Sequence, residues 1–461
     1  MKKLFFTVMA LASFLSVYAG GLLTNTNQNV AFLRNPARGA SLEIDAAYSN
    51  PAGLAFLKGD GLFISLNNQS AFQKRTITGE FAPFAGFGGN AVKVFEGEAS
   101  AFVIPNLQAA YKTGDWAFSV NIGVAGGGGT VDFTRGLPSF ESTVAIAPVI
   151  LNAMQPALSF GGYALDSRLK GSSMTIGAQL GASYAINDYF SVYGGARYSY
   201  IDNGYDGYLR NIRIGMEGSL TPATTLLENP AVKPLEGLIG EKELDCKQTG
   251  AGIAPIIGLD FKLDKLNVGV KYEFKTGVEL KNETNSNTTG LSDFDDGVKT
   301  PYDLPALLTV GAQYDIIPQL TVSAAYHHFF DSDARMANDK QKLIDGGINE
   351  FLAGLEYRIN KMFLVSCGTQ FTCTGVTDGY QTDMSYSLNS YSFGFGGAID
   401  VTKNIRVNLA YFFTGYSEWT KQSSDYGNLS TLTGGMFPAT AGKDVFGRTN
   451  KAFGIGLDFR F

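Results

Sequence analysis

From Leu62 to the last residue the chain repeats one pattern, an apolar side chain at every second position. In IRVNLAYFFTG, Ile405, Val407, Leu409, Tyr411 and Phe413 share one face, and Arg406, Asn408, Ala410, Phe412 and Thr414 share the other. In AFGIGLDFRF, Phe453, Ile455, Leu457, Phe459 and Phe461 oppose Gly454, Gly456, Asp458 and Arg460. LNVGVKYEFK sets Val268, Val270, Tyr272 and Phe274 against Gly269, Lys271, Glu273 and Lys275. Such alternation gives each strand one apolar and one polar face. A soluble sandwich turns its apolar faces together. A membrane barrel turns them to lipid and lines its lumen with the others.

Two features select the barrel. The non-lipid face is rich in Gly and Ala as well as charge, and the connections alternate between short and long. The short ones are Gly114-Asp115, Asn187-Asp188, Asp264-Lys265, Ile316-Ile317-Pro318, Asn360-Lys361 and Lys403-Asn404; the long ones lie near 76–98, 132–171, 203–250, 282–302, 332–347, 375–388 and 418–446. Short turns at one end and long loops at the other are the two ends of a bacterial outer-membrane barrel. Six tight hairpins plus a first and a last strand predict an all-β, antiparallel transmembrane barrel of about fourteen strands, an even number. The last strand then lies beside the first and no edge is left. Phe461 closes the chain in the lipid-facing register. Tyr111, Tyr184, Tyr189, Phe190 and Tyr314 are expected in the aromatic girdle.

Two long loops carry a helical pattern instead, near 139–165 and 221–245. Apolar helices above a barrel would form a landing surface for greasy molecules, or pack on each other as a lid. The residues before the first strand differ again. Lys2 and Lys3, an apolar run from Leu4 to Phe14, and Val17-Tyr18-Ala19 read as a signal peptide over 1–19, with Gly20 first after cleavage. Residues 20–59 carry no strand pattern and form a prelude to the barrel, which is expected over 60–461. The prelude ends at AAYSNPAGLAFLKGDG, where Asn50 reads as a cap and Pro51 as a first helical position, followed by Ala52 and Gly53.

Composition narrows the function. Net charge is −6, so there is no basic footprint for nucleic acid; three Cys and two His leave little for a metal site or a disulfide framework. His327 and His328 are the only histidines, and Ser323 lies about 13 Å along the strand from His327. No catalytic residue, metal ligand or cofactor is expected, and the chain is not expected to be an enzyme. Cys246 falls in a predicted loop; Cys367 and Cys373 share a face too far apart to bond. The run Gly126, Gly127, Gly128 and Gly129 follows a strand but opens no helix, so it is no phosphate cradle. In a wall strand it weakens pairing and allows a kink that parts two strands, or else it is a flexible strand end. Lys112, Asp260, Lys262, Glu356, Arg358, Asp400, Arg406, Asp458 and Arg460 sit near the short turns and would ring that end of the lumen. Arg34, Arg38, Glu43 and Asp45 of the prelude could pair with the ring, whereas Gly195, Ala325, Ala410, Phe412 and Phe329 make the lumen above it less polar. A water-filled lumen with scattered charge is the alternative.

The signal, the prelude, ARGASLEIDAAYSNPAGLAFLKG at 37–59, the strand count and the terminal Phe together resemble the outer-membrane channels of the FadL/TodX type. That resemblance implies a diffusion channel for long-chain fatty acids or similar hydrophobic compounds in the outer membrane of a Gram-negative bacterium. It implies that residues 20–59 form a hatch inside the lumen, that Asn50, Pro51 and Ala52 are the hatch motif, and that Gly20 and Gly21 lie near a ligand pocket. It also implies that Gly126–Gly129 kink the third strand into a lateral opening. The partners it implies are a hydrophobic ligand, outer-membrane lipid with lipopolysaccharide, and the barrel assembly machinery; a monomer and no nucleic acid are expected. A surface adhesin on the same scaffold is the competing reading.

Overall fold

The computed structural model describes Leu22 and residues 26–461. The expected signal peptide, Gly20 and Gly21 lie outside the described residues. Eighteen strand segments join in one antiparallel sheet and make fourteen wall strands. In chain order these are β1 Gly61–Phe81, β2 Val92–Thr113, β3 Trp116–Phe133, β4 Phe160–Ala185, β5 Phe190–Met216 and β6 Lys242–Leu263. Next come β7, Leu266–Glu273 continued by Glu279–Asn287, then β8, Lys299–Pro301 with Leu307–Ile317, and β9 Leu320–Phe329. The wall finishes with β10 Asn349–Arg358, β11 Phe363–Cys373, β12 Ser390–Asp400, β13, Ile405–Tyr416 with Trp419–Ser423, and β14 Gly442–Arg460. A short strand, Ser219–Pro222, folds back on the end of β5. β14 pairs with β1 from Phe63↔Arg460 to Phe81↔Gly442, which closes the barrel.

Each of the six expected tight connections joins two strands. Gly114 and Asp264 take positive φ in two of them, as tight hairpins require. The girdle residues Tyr111, Tyr184, Tyr189, Phe190 and Tyr314 all face outward and are exposed. The strands run further than the pattern suggested, so the long loops shrink to 82–91, 134–159 and 217–241 among the first three. Pairing continues because the outward face changes character rather than stopping. Along β5 it reads Phe190, Val192, Tyr198 and Tyr200, then Asp202, Asp206 and Arg210; along β4 it reads Tyr184, Leu180, Ile176 and Met174, then Lys170 and Arg168. An apolar run of about eleven residues per strand matches one bilayer crossing.

Four short helices occupy the two loops with helical pattern: Pro138–Ala145, Ala147–Met154, Ala223–Leu227 and Glu236–Ile239. Their apolar side chains do not form an open landing surface. Val144, Ile146, Ile150 and Leu151 pack with Leu226, Leu235, Leu238 and Ile239, and with Phe81, Phe84, Tyr426 and Phe437. Helices this short cannot stand alone in water, so they bury their apolar faces on each other. The Cys246 expectation is also corrected: the residue is buried within β6.

Candidate functional site

The N-terminal segment folds as two single-turn helices, α1 Val30–Arg34 and α2 Ala46–Ser49, and a 3-10 turn over Pro51–Phe56. Asn29 caps α1, its side chain accepting from the Ala31 amide at 2.7 Å. Nearly every residue from Asn27 to Leu57 is buried, yet the segment has few strong structural propensities of its own. The wall supplies its partners, from every side.

Near β1 and β2, the Asn29 amide donates to Gln108 at 2.6 Å and the Val30 amide donates to Asn67 at 3.1 Å. On β4 and β5, Ser183 and Ser191 donate to the carbonyls of Pro51 and Ala52 at 2.6 and 2.7 Å. On β7, Asn267 and Lys271 donate to the carbonyls of Ala40 and Tyr48 at 3.0 and 2.9 Å. Across the lumen, Arg34 meets Glu356 of β10 at 2.5 Å and Ser366 of β11 at 2.9 Å. Arg406 of β13 meets Glu43 at 2.6 Å, and Asp400 ties Arg406 to Arg358 at 2.6 and 2.8 Å. Asp45 bonds within the segment instead, to Arg38 at 2.7 Å. Of the polar ring expected near the short turns, Asp260, Glu356 and Arg406 thus bond the segment directly, whereas Asp458 bonds Ser65 and Asn408 of the wall and Lys112 pairs with Asp60.

The glycines of the inner face have a matching role. A Cβ at Gly394 would collide with the Leu33 carbonyl, at Gly311 with Gly39, at Gly354 with Asn35, and at Gly454 with Leu33 and Val30. Each lies where the segment's backbone or side chains touch the wall.

Asn50, Pro51 and Ala52 lie together at the close of this segment. Pro51 starts the 3-10 turn as expected, but Asn50 makes no capping bond there. Its amide donates to the Ser41 carbonyl at 3.1 Å and to Asp260 of β6 at 2.5 Å. Held by its NH2 group, the side chain turns to the wall, and its Oδ1, the atom a cap would use, is left buried without a partner. Asp260 also accepts from Asn267 at 2.9 Å, while its Oδ1 has no partner. Asn50→Ala is expected to cost about 1–3 kcal/mol, because it strips a buried acceptor of its donor. The check is the midpoint of heat-modifiable gel migration, which should fall relative to the unaltered protein.

A small cavity lies between segment and wall, with Phe32, Arg38, Tyr48, Lys271, His327 and Glu350 in its lining. His327 bonds Glu350 at 2.9 Å, whereas Ser323 bonds Asn35 of the segment. His328 faces the other way and packs on Phe330 at 4.4 Å. Leu22 packs on the adjoining apolar groups Leu307, Phe329 and Ile348.

Gly126–Gly129 lie inside β3, and the ladders on both sides break there. Pairing of β2 with β3 stops at Ala99↔Val131 and resumes only at Asn106↔Gly123. Pairing of β3 with β4 shifts register between Val124 and Gly126 and again before Gly129. Gly127 and Gly129 have φ of +96° and +73°, a region in which other residues are strained. On the other side of the gap β2 bulges from β1, leaving Phe102 and Val103 exposed at 68% and 72%.

The cavity and the wall residues that hold the segment were not legible in the sequence. Gln179, Ser183, Ser191, Asn267 and Lys271 are inward polar positions on alternating strands. That pattern marks a lumen but does not say which of its residues meets a buried carbonyl.

No protein-family profile and no curated protein matches this sequence. Solved structures do. A FadL homologue of Pseudomonas aeruginosa superposes with a TM-score of 0.65 at 13% identity, over 96% of this chain and 100% of that one. The toluene transporter TodX of Pseudomonas putida gives 0.57 at 16%, over 96% and 100%. The toluene transporter TbuX of Ralstonia pickettii gives 0.55 at 16%, over 95% and 100%. At such identities the likeness is one of architecture: this chain has the fold of the FadL- and TodX-type outer-membrane channels.

Proposed function

We propose that this chain is an outer-membrane diffusion channel that takes up hydrophobic compounds and releases them sideways through its wall. The observation that carries the reading is the broken ladder at Gly126–Gly129 beside a lumen filled by the N-terminal segment. A filled lumen is a poor route for ions. A gap in an apolar-faced wall is a route for a molecule that prefers lipid to water. The likeness to structures described as toluene transporters and a FadL homologue points the same way. Residues 20–59 act in this reading as the hatch, with Asn50, Pro51 and Ala52 as its anchor to the wall. Transport runs downhill and needs no nucleotide. The protein works as a monomer, with outer-membrane lipid and lipopolysaccharide around it and the barrel assembly machinery as its partner in insertion.

The test pairs binding with uptake. A labelled fatty acid or alkyl-aromatic should bind the detergent-solubilised protein saturably, and cells should take it up. Gly127→Val places a side chain against the Ser173 carbonyl in a backbone region closed to Val. It should leave binding intact while uptake falls at least about tenfold, a loss of some 1.4 kcal/mol in the rate-limiting passage. Normal uptake by a folded Gly127→Val protein would remove the sideways route. Failure to bind any apolar ligand would favour an adhesin.

A further inference from the structure

The register of β1 and β14 places Arg75 directly opposite Arg448. Both face the lumen, because the adjacent Lys74 points outward and pairs with Glu96 on the outer surface. Like charges directly opposite on one face destabilise a sheet. Among the described residues no carboxylate forms an ion pair with either: the ionisable groups acting on Arg75 are Arg448, Tyr386 and Tyr416. Arg75 donates to Gln73 at 2.8 Å and lies 5.9 Å from the centre of the Tyr386 ring. Arg448 lies 4.9 Å over the Tyr416 ring, and its Nε is buried without a hydrogen-bond partner. Deeper in the lumen, Arg34, Arg38, Arg197 and Arg406 each have a carboxylate. An acidic chain of net charge −6 thus leaves two facing guanidiniums unpaired at one place.

That place is informative. On the outer face of β14 the apolar run ends at Phe453 and Lys451 follows; on β1 Asn68 and Ser70 interrupt it, Phe72 is its last apolar position and Lys74 follows. The pair therefore stands just above the apolar band. Its row continues through Gly97 to Phe133, and the next inward row, Ala99↔Val131, is the last before the ladder breaks. Ala99, Val131 and Phe133 are buried and apolar. A charged pair and apolar inner-wall positions that run to the gap lie side by side.

We infer that Arg75 and Arg448 hold the head group of an amphipathic anion, a carboxylate, sulfonate or sulfate on an apolar body, whose tail lies toward the break at Gly126–Gly129. Two guanidiniums can clasp one such head through charge-assisted hydrogen bonds, and each is preorganised as a planar fork. The inference rests on the channel reading and narrows its substrate from hydrophobic compounds at large to amphipathic anions.

The experiment compares dodecanoate with dodecanol, alike in chain and different in charge. Both are titrated into the protein in a neutral detergent at about pH 8, where the carboxylate is ionised. The unaltered protein should prefer dodecanoate by about tenfold or more. The double variant Arg75→Gln/Arg448→Gln should lose that preference through weaker dodecanoate binding alone, and Arg75→Lys/Arg448→Lys should keep part of it. High salt should weaken dodecanoate and spare dodecanol; this arm needs no variant to fold. Equal binding of the two ligands, or a preference that survives both Gln substitution and salt, overturns the head-group site and leaves the channel reading intact. Binding of neither ligand overturns both.

Discussion

Glu356→Ala is expected to unseat the N-terminal segment while the wall that carries residue 356 remains closed. Arg34 is fully buried, and its Nε and Nη2 make no hydrogen bond. Glu356 supplies the close carboxylate for Arg34 and a second contact to Arg38 at 3.1 Å. Without Glu356 the buried Arg34 charge keeps only the looser Glu43 contact at 3.9 Å, at a cost of up to about 3–5 kcal/mol. β10 keeps its backbone ladders to β9 and β11, so the loss falls on the seating of the segment. The measurement is planar-bilayer conductance: the unaltered protein should be tight, and Glu356→Ala should show frequent open events. The double change Arg34→Met/Glu356→Met should recover much of the seal, since an apolar pair of similar volume often replaces a buried ion pair without loss. The cluster also sets an acid limit. Burial alone would raise the Glu43 carboxyl, but the Arg406, Arg38 and Arg34 guanidiniums hold it well below the usual carboxylate range. A carboxyl depressed in the folded state contributes stability above its unfolded value, near 4.5, and loses it as pH falls toward the folded value. The seal should therefore hold through neutral and mildly acid conditions and open under strong acid.

Gly394→Val should have an effect of similar size by a different route. No rotamer of Val avoids the Leu33 carbonyl, because the collision begins at Cβ. The obstacle is backbone, so it cannot swing aside as a flexible side chain would. Overpacking costs typically about 1–3 kcal/mol where neighbours can shift, and more where they cannot. The barrel should still assemble, since Gly394 pairs with Gly368 and Phe412 through the backbone alone. Limited proteolysis should then cut within residues 26–57 in the variant and spare them in the unaltered protein. Gly194→Val is the control: nothing lies within 4 Å of its Cβ, so it should change neither assembly nor protection. A Gly394→Val protein as protected and as tight as its parent would show that the glycines are not spacers for the segment.

These two experiments also mark how far the sequence could be read. The wall was legible because its physics is local: alternation, turn residues and loop lengths all act within a strand or hairpin, and β13 and β14 follow their pattern residue by residue. Arg34, Arg38 and Glu43 were legible as charges that need partners. Which wall residue meets which was not, because Glu356 and Arg406 lie more than three hundred positions away and the barrel's closure alone brings them near. Asn50 shows a similar limit. Its local sequence favours a cap, and a tertiary carboxylate, Asp260, holds its NH2 group instead. The loop helices were legible as helices, but their neighbours were not, so exposure and mutual burial stayed equally open. Arg75 and Arg448 gave no signal at all, since each is unremarkable until the register sets them face to face.

The length of β4 and β5 has one more consequence. At about 3.3 Å per residue, their 26 and 27 residues extend some 85–90 Å along the strand. Tilted near 45°, they rise about 60 Å along the membrane normal, against an apolar band of only about 25 Å. More than half of that height is scaffolding outside the bilayer. The packed loop helices sit at its summit, so they meet the surrounding medium rather than the membrane surface.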